Sequence, residues 1–79
     1  MGVRMKELVE IIAKALVDNP DEVVVVQNED ARNITLELHV ASADMGKVIG
    51  KQGRIAKSMR SIVKAASTKE NKRVELEIV

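Results

Sequence analysis

The stretch DMGKVIGKQGRIAKSM, Asp44 to Met59, decides how the chain is read. Gly50 and Gly53 enclose Lys51 and Gln52, and apolar residues stand on both sides. Glycines adopt positive φ without strain and put no Cβ between the backbone and a ligand. A loop of this form can aim its own N–H groups, and those opening the next helix, at one spot, which suits an anion. Lys51 and Arg54 add positive charge there. A plain tight turn between two helices uses the same residues for geometry alone. The spacing is neither G-x-x-x-x-G-K-[ST] nor G-x-G-x-x-G, so two familiar nucleotide-binding loops are excluded. G-x-x-x-G occurs at Gly46–Gly50, but it has meaning only within an apolar membrane helix.

The flanking pattern supplies the architecture. Residues 3–18 carry Met5, Val9, Ile12 and Leu16 on one helical stripe, flanked by Leu8 and Ala13, with Glu7, Glu10 and Lys14 opposite. Asp18-Asn19-Pro20 ends this helix, because proline pushes its predecessor out of the α region. Residues 23–28 are valine-rich and predict a strand. A polar turn follows, and residues 34–40 alternate: Ile34, Leu36, Leu38 and Val40 against Thr35, Glu37 and His39. Ser42 is the expected N-cap of a short helix to about Ile49, with Asp44 in its first turn. After the glycine loop, a helix over 54–66 is expected to seat Ile55, Met59, Ile62 and Ala66 in the core, with Lys57, Arg60, Ser61 and Lys64 outward. Residues 73–78 alternate again, Val74, Leu76 and Ile78 against Glu75 and Glu77.

The order α-β-β-α-α-β, with one apolar face per strand, predicts an α+β two-layer sandwich, a single domain over 1–79. A right-handed crossover makes the last two strands parallel, so the three-stranded sheet is mixed and all three helices cover one face. Glu37, Glu75 and Glu77 fall on the open face, which would repel phosphate. Any nucleic-acid site belongs on the helix side.

Composition narrows the function. Net charge is only +1, but Lys47, Lys51, Arg54, Lys57, Arg60 and Lys64 fill positions 47–64 without one acid. Such a run is either a solvated helix face or a phosphate-binding surface. The absence of Phe, Tyr and Trp excludes recognition by aromatic base stacking. There is no cysteine, one histidine, no metal-ligand cluster and no carboxylate near the glycine loop except Asp44, so neither metal nor cofactor is expected and an enzyme is poorly supported. No apolar run reaches the ~20 residues a membrane span needs, and no signal segment opens the chain, so a cytoplasmic location is expected.

VIGKQGRI resembles the (V/I)-I-G-x-x-G-x-x-I signature of the K homology (KH) domain, with its second isoleucine one residue early. The element order resembles the type II KH topology. LVEIIAKALVDNPDEV and DMGKVIGKQGRIAKSMRSIVKAA extend the likeness over essentially the whole chain, to the small stand-alone bacterial KH proteins of the KhpA (YlqC) family.

The resemblance implies a non-catalytic protein that holds about four nucleotides of single-stranded RNA in a groove. Gly50, Lys51, Gln52 and Gly53 would hold the sugar-phosphate backbone. Ile49 and Ile55 would form an apolar floor beneath the bases, or serve simply as core. Lys47, Arg54 and Lys57 are inferred as phosphate contacts from their charge and position. The implied role is that of a post-transcriptional regulator or RNA chaperone. The alternative is a protein assembly module, since the resemblance also implies pairing with a second copy or with a larger KH protein. Ala56 and Val63, with a flank of Ile62, are the expected homodimer strip.

Overall fold

The computed structural model describes residues 5–67 and 72–79. Helix α1 spans Met5–Leu16, strand β1 Val24–Glu29 and strand β2 Asn33–His39. Helix α2 is the short Met45–Ile49, α3 is Arg54–Ala66 and β3 is Arg73–Ile78. Single turns of 3-10 helix occupy Pro20–Glu22, Ser42–Asp44 and Lys51–Gly53.

The sheet order is β1-β2-β3. β1 and β2 are antiparallel, with Val25 opposite Leu38 and Gln27 opposite Leu36. β2 and β3 are parallel, with Ile34 opposite Val74 and Leu36 opposite Leu76. Val25, Ile34, Leu36, Leu38 and Leu76 therefore share one face. They are buried against Val9 and Ala13 of α1, Val48 of α2, and Met59 and Val63 of α3. The expected two-layer α+β sandwich, with a mixed sheet and three helices on one side, is what forms.

Several local expectations shift. The helix expected over 3–18 is observed as Met5–Leu16; positions 3 and 4 lie outside the described residues, and Val17 N–H still donates to Ala13 O. The hairpin strands each move by one residue, because Asp30 closes the turn. Its Oδ1 accepts from the N–H groups of Arg32 and Asn33 at 2.8 and 2.7 Å, and its own N–H donates to Asn33 O. Those charge-assisted bonds hold the Asp30 carboxyl below its usual range.

The larger correction concerns α3. Its buried residues are Ala56, Met59 and Val63, whereas Ile55 is half-buried and Ile62 and Ala66 are exposed. Both sets satisfy a helical stripe, but at ~100° per residue the observed one is rotated by about 60°. Packing of Met59 and Val63 into the core goes with two further contacts in this orientation. Ile55 is drawn toward Gly50, and Arg60 Nε donates to Leu76 O at 3.3 Å. The expected dimer strip fails for the same reason. Ala56 and Val63 are 4% and 1% exposed, spent on the protomer's own core, and only Ile62, at 43%, reaches the surface.

Candidate nucleic-acid interface

α2 ends where Gly50 N–H donates to Gly46 O at 2.9 Å. The chain then leaves the helix at Gly50 with φ 77° and ψ 175°. Gln52 follows at φ 58°, ψ 25°, and Gly53 at φ 73°, ψ 15°. Three positive φ values in four residues throw Lys51 and Gln52 clear of both helices, and both are exposed.

The two glycines serve different ends. A Cβ on Gly50 would lie 2.6 Å from Ile55 Cγ1 and 2.9 Å from its Cβ and Cδ1. Gly50 thus lets the loop close onto the first turn of α3, and Ile55 is its stopper. A Cβ on Gly53 would meet nothing within 4 Å, so Gly53 answers to its φ alone. Gly46 has neither a positive φ nor a near neighbour.

The anion geometry is narrower than the sequence suggests. Gly53 N–H is taken by Gly50 O at 3.1 Å, and Arg54 N–H by Lys51 O. These bonds stiffen the loop and remove two of the donors expected to converge on a phosphate. Lys51 and Gln52 form the outer rim, with Arg54 Nη2 3.4 Å from Gln52 Oε1. Lys51, Arg54 and Lys57 are exposed, and Ile49 is 37% exposed beside them.

Lys47 does not join that group. Its ammonium pairs with the Asp18 carboxylate and lies 3.7 Å from Asp44 Oδ1. The Asp18 bond is the main reason its pKa is raised, against partial burial. A cation answered by two carboxylates braces the fold rather than reaching for phosphate.

The sequence makes Asp44 a first-turn residue and Ser42 a cap. Asp44 does stand at the start of α2, but neither it nor Ala41, which precedes the 3-10 turn opened by Ser42, makes a side-chain capping bond. Asp44 is instead a core carboxylate, 1% exposed. Its oxygens accept from Asp18 N–H at 3.2 Å, and from Asn19 N–H and Asn19 Nδ2 at 3.0 Å. Burial pushes its pKa up, but those bonds and the Lys47 charge outweigh it, and the net shift is downward. The end of α1 is thereby fastened to the start of α2, and the one acid near the glycine loop is withdrawn from any ligand.

Sequence reasoning missed a groove of about 500 Å³ between α3 and β3. Val63, Val74 and Leu76 line its apolar part, and its polar part mixes Arg60, Lys64 and Arg73 with Glu75 and Glu77. Arg73 and Val79 N–H donate to Arg32 and Leu38 O across the β2–β3 pairing. The alternation of a parallel ladder then turns the backbone groups of Val74, Leu76 and Ile78 toward the groove side. The signal was available: a strand reached only by the last crossover is an edge. Among the described residues no group of three or more His, Asp or Glu could hold a metal ion, and no helix is long and apolar enough to cross a membrane.

An α-β-β-α-α-β sandwich whose two central helices meet at a G-x-x-G loop defines a type II KH domain. The KhpA/KhpB KH-domain model matches residues 6–78, and the chain belongs to that family. Relatives named RNA-binding protein KhpA align over 75 residues, 95% of this chain. The Clostridium acetobutylicum protein is 63% identical and matched over 100% of its length. The Aquifex aeolicus protein is 51% identical over 95% of its length, and that of Listeria monocytogenes is 48% identical over 99%. Among solved structures, Era from Aquifex aeolicus bound to GDP·AlF4⁻ superposes with TM-score 0.68 at 22% identity, over 94% of this chain and 29% of that one. Era with MgGDPNP and nucleotides 1506–1542 of 16S ribosomal RNA gives 0.67 at 18%, over 100% of this chain and 32% of that one. At these identities the likeness is one of fold.

Proposed function

We propose that this chain is a non-catalytic, cytoplasmic single-stranded RNA-binding protein, working as a post-transcriptional regulator or RNA chaperone. Its relatives' names support the ligand class. The observation that carries the site is the glycine loop: positive φ at Gly50, Gln52 and Gly53 stands Lys51 and Gln52 out from the surface, with Arg54 and Lys57 close by in sequence. The RNA backbone passes over this rim. Bases lie toward the aliphatic surface of Ile49 and the α3–β3 groove, about four nucleotides in all. Ile55 contributes indirectly, by fixing Gly50. A chain without aromatic residues must read bases with aliphatic surface and backbone polar groups, and the groove side of β3 offers both.

Replacing Lys51 and Gln52 together with Asp tests the assignment. Asp tolerates positive φ better than most residues, so the loop keeps its shape. RNA binding in a filter or gel-shift assay should vanish while circular dichroism is unchanged. Unaltered affinity would refute the loop's role.

Pairing with a second KH domain, its own copy or a larger relative, belongs to the same reading. The exposed Ile62, between Ser61 and the buried Val63, is the residue that favours it. Light scattering across micromolar concentrations reads the oligomeric state directly.

A further inference from the structure

The opposite edge of the sheet carries a second surface. β1 has only β2 beside it among the described strands. The bond from Asp30 N–H to Asn33 O fixes the phase of the antiparallel ladder. Alternation then gives β2 the backbone groups of Val24, Val26 and Asn28. Those of Val25, Gln27 and Glu29 face outward.

Proteins usually blunt such an edge with lysine, proline, a bulge or a covering element. Val24–Glu29, VVVQNE, contains neither lysine nor proline and pairs with β2 in unbroken register. On the open face Val24 and Val26 are 52% and 38% exposed. On the helix side, Gln27 and Glu29 project beyond α1 into a groove of about 440 Å³ floored by Met5 and Ile34. Glu7 and Glu10 line it as well, with Lys6. The balance is acidic, and Lys72, bonded to Glu29, reduces it without reversing it.

We propose that β1 accepts an extended segment of a partner protein as a fourth strand, one in which β-branched residues alternate with Lys or Arg. Side chains of an added strand alternate between faces with a period of two. Apolar ones would lie beside Val24 and Val26, and basic ones would enter the groove of Glu7, Glu10 and Glu29. Backbone bonds to Val25, Gln27 and Glu29 supply the rest of the attachment. A second copy fits less well. Two β1 edges related by a two-fold axis normal to the sheet would bring their acidic grooves together on one side. β1 and β3 are opposite ends of the sheet, so a guest on β1 leaves the glycine loop and the α3–β3 groove free.

The test uses the whole chain and the peptide acetyl-Val-Lys-Val-Lys-Val-Lys-Val-amide. Amide exchange at Val25, Gln27 and Glu29 should slow at least tenfold in its presence. A peptide N-methylated at alternate residues, which cannot bond to the edge, should bind at least tenfold more weakly. Gln27→Pro removes one outward N–H and spares the β1–β2 ladder, so it too should lose tenfold or more while keeping RNA affinity. Where that variant fails to fold by circular dichroism, the N-methylated peptide on the unaltered protein decides. Protection at Val74, Leu76 and Ile78 instead, equal binding of a Val-Glu peptide, or no protection at millimolar peptide would each overturn the proposal. So would concentration-dependent protection of β1 without peptide, which would mean that a second copy fills the edge.

Discussion

Gly50→Ala separates packing from backbone freedom within one loop. At φ 77°, ψ 175°, Gly50 sits in a region that is essentially glycine-only, so a Cβ there costs about 1–3 kcal/mol through the backbone alone. The same Cβ meets Ile55 Cγ1 at 2.6 Å and Ile55 Cβ at 2.9 Å. Cγ1 can rotate aside, but the Ile55 Cβ is fixed to the first turn of α3, and forcing such a contact costs roughly another 1–3 kcal/mol. The total, about 2–6 kcal/mol, compares with the ~4–12 kcal/mol expected for a domain this size.

Gly53→Ala is the control. With φ 73°, ψ 15° and open space around its Cβ, it incurs only the left-handed penalty of about 1–2 kcal/mol. Unfolding must be followed by circular dichroism in urea, since the chain has no Tyr or Trp to fluoresce. Gly50→Ala should therefore lose about 1–4 kcal/mol more than Gly53→Ala. In an Ile55→Ala background, where Cγ1 and Cδ1 are gone, the added cost of Gly50→Ala should fall by roughly 1 kcal/mol, a coupling a double-mutant cycle resolves. Equal losses at the two glycines would refute the closure of the loop onto α3.

Exposed Lys51, Arg54 and Lys57 supply few phosphate contacts, so the slope of log K against log salt for RNA should be about −1.5 to −3, at roughly −0.7 per contact; a slope steeper than about −5 for the monomer would require a much larger basic surface. Val63→Lys buries an unpaired ammonium in the core and should unfold the chain, whereas Ile62→Lys should stay folded, as thermal melts will show; a folded Val63→Lys protein would contradict the rotation of α3. Asp44 has a folded pKa below its unfolded value of about 3.9, so its stabilisation is present above that value and lost as pH falls through the folded one. Asp44→Asn should accordingly lower the melting temperature at pH 7 and flatten the acid-side fall; parallel acid limbs in the two proteins would rule Asp44 out as a stabilising carboxylate.

The fold was legible because its signals are periodic. The alternation in 34–40 and 73–78 and the Arg54–Ala66 helix correspond closely to the observed β2, β3 and α3. What periodicity could not resolve was phase. Ile55, Met59, Ile62 and Ala66 make as good a stripe as Ala56, Met59 and Val63, and the tertiary contacts of α3 choose between them, among them core packing, Ile55 against Gly50 and the Arg60–Leu76 bond. Those are long-range or loop-to-helix facts with no local signature. The same holds for Asp44. An Asp after Ser42 at a helix start reads as a surface charge near the dipole, yet its donors come from Asp18 and Asn19, more than 20 residues away. Lys47 misled for the same reason, since its main partner, Asp18, lies just beyond the end of α1.

These two residues explain how a nearly neutral chain presents a positive site. Asp18, Asp44 and Lys47 spend their charges on one another, holding the end of α1 to the start of α2. That leaves Lys51, Arg54 and Lys57 with no carboxylate partner among the described residues, while Glu37, Glu75 and Glu77 gather on the far side of the sheet, Glu37 directly opposite Glu77. On the proposed reading, such a separation orients the domain before contact, because phosphate is drawn to one face and repelled from the other. Few contacts follow, so the affinity of a single domain is low unless the loop is already in place when RNA arrives. The bonds from Gly53 to Gly50 and from Arg54 to Lys51, with Ile55 seated on Gly50, are what pre-form it. On the proposed reading, each donor spent inside the loop weakens its direct hold on phosphate but lowers the ordering cost of binding. Tighter binding must then come from joining domains, since a second site on the same RNA acts through effective concentration and not through new contacts at this loop.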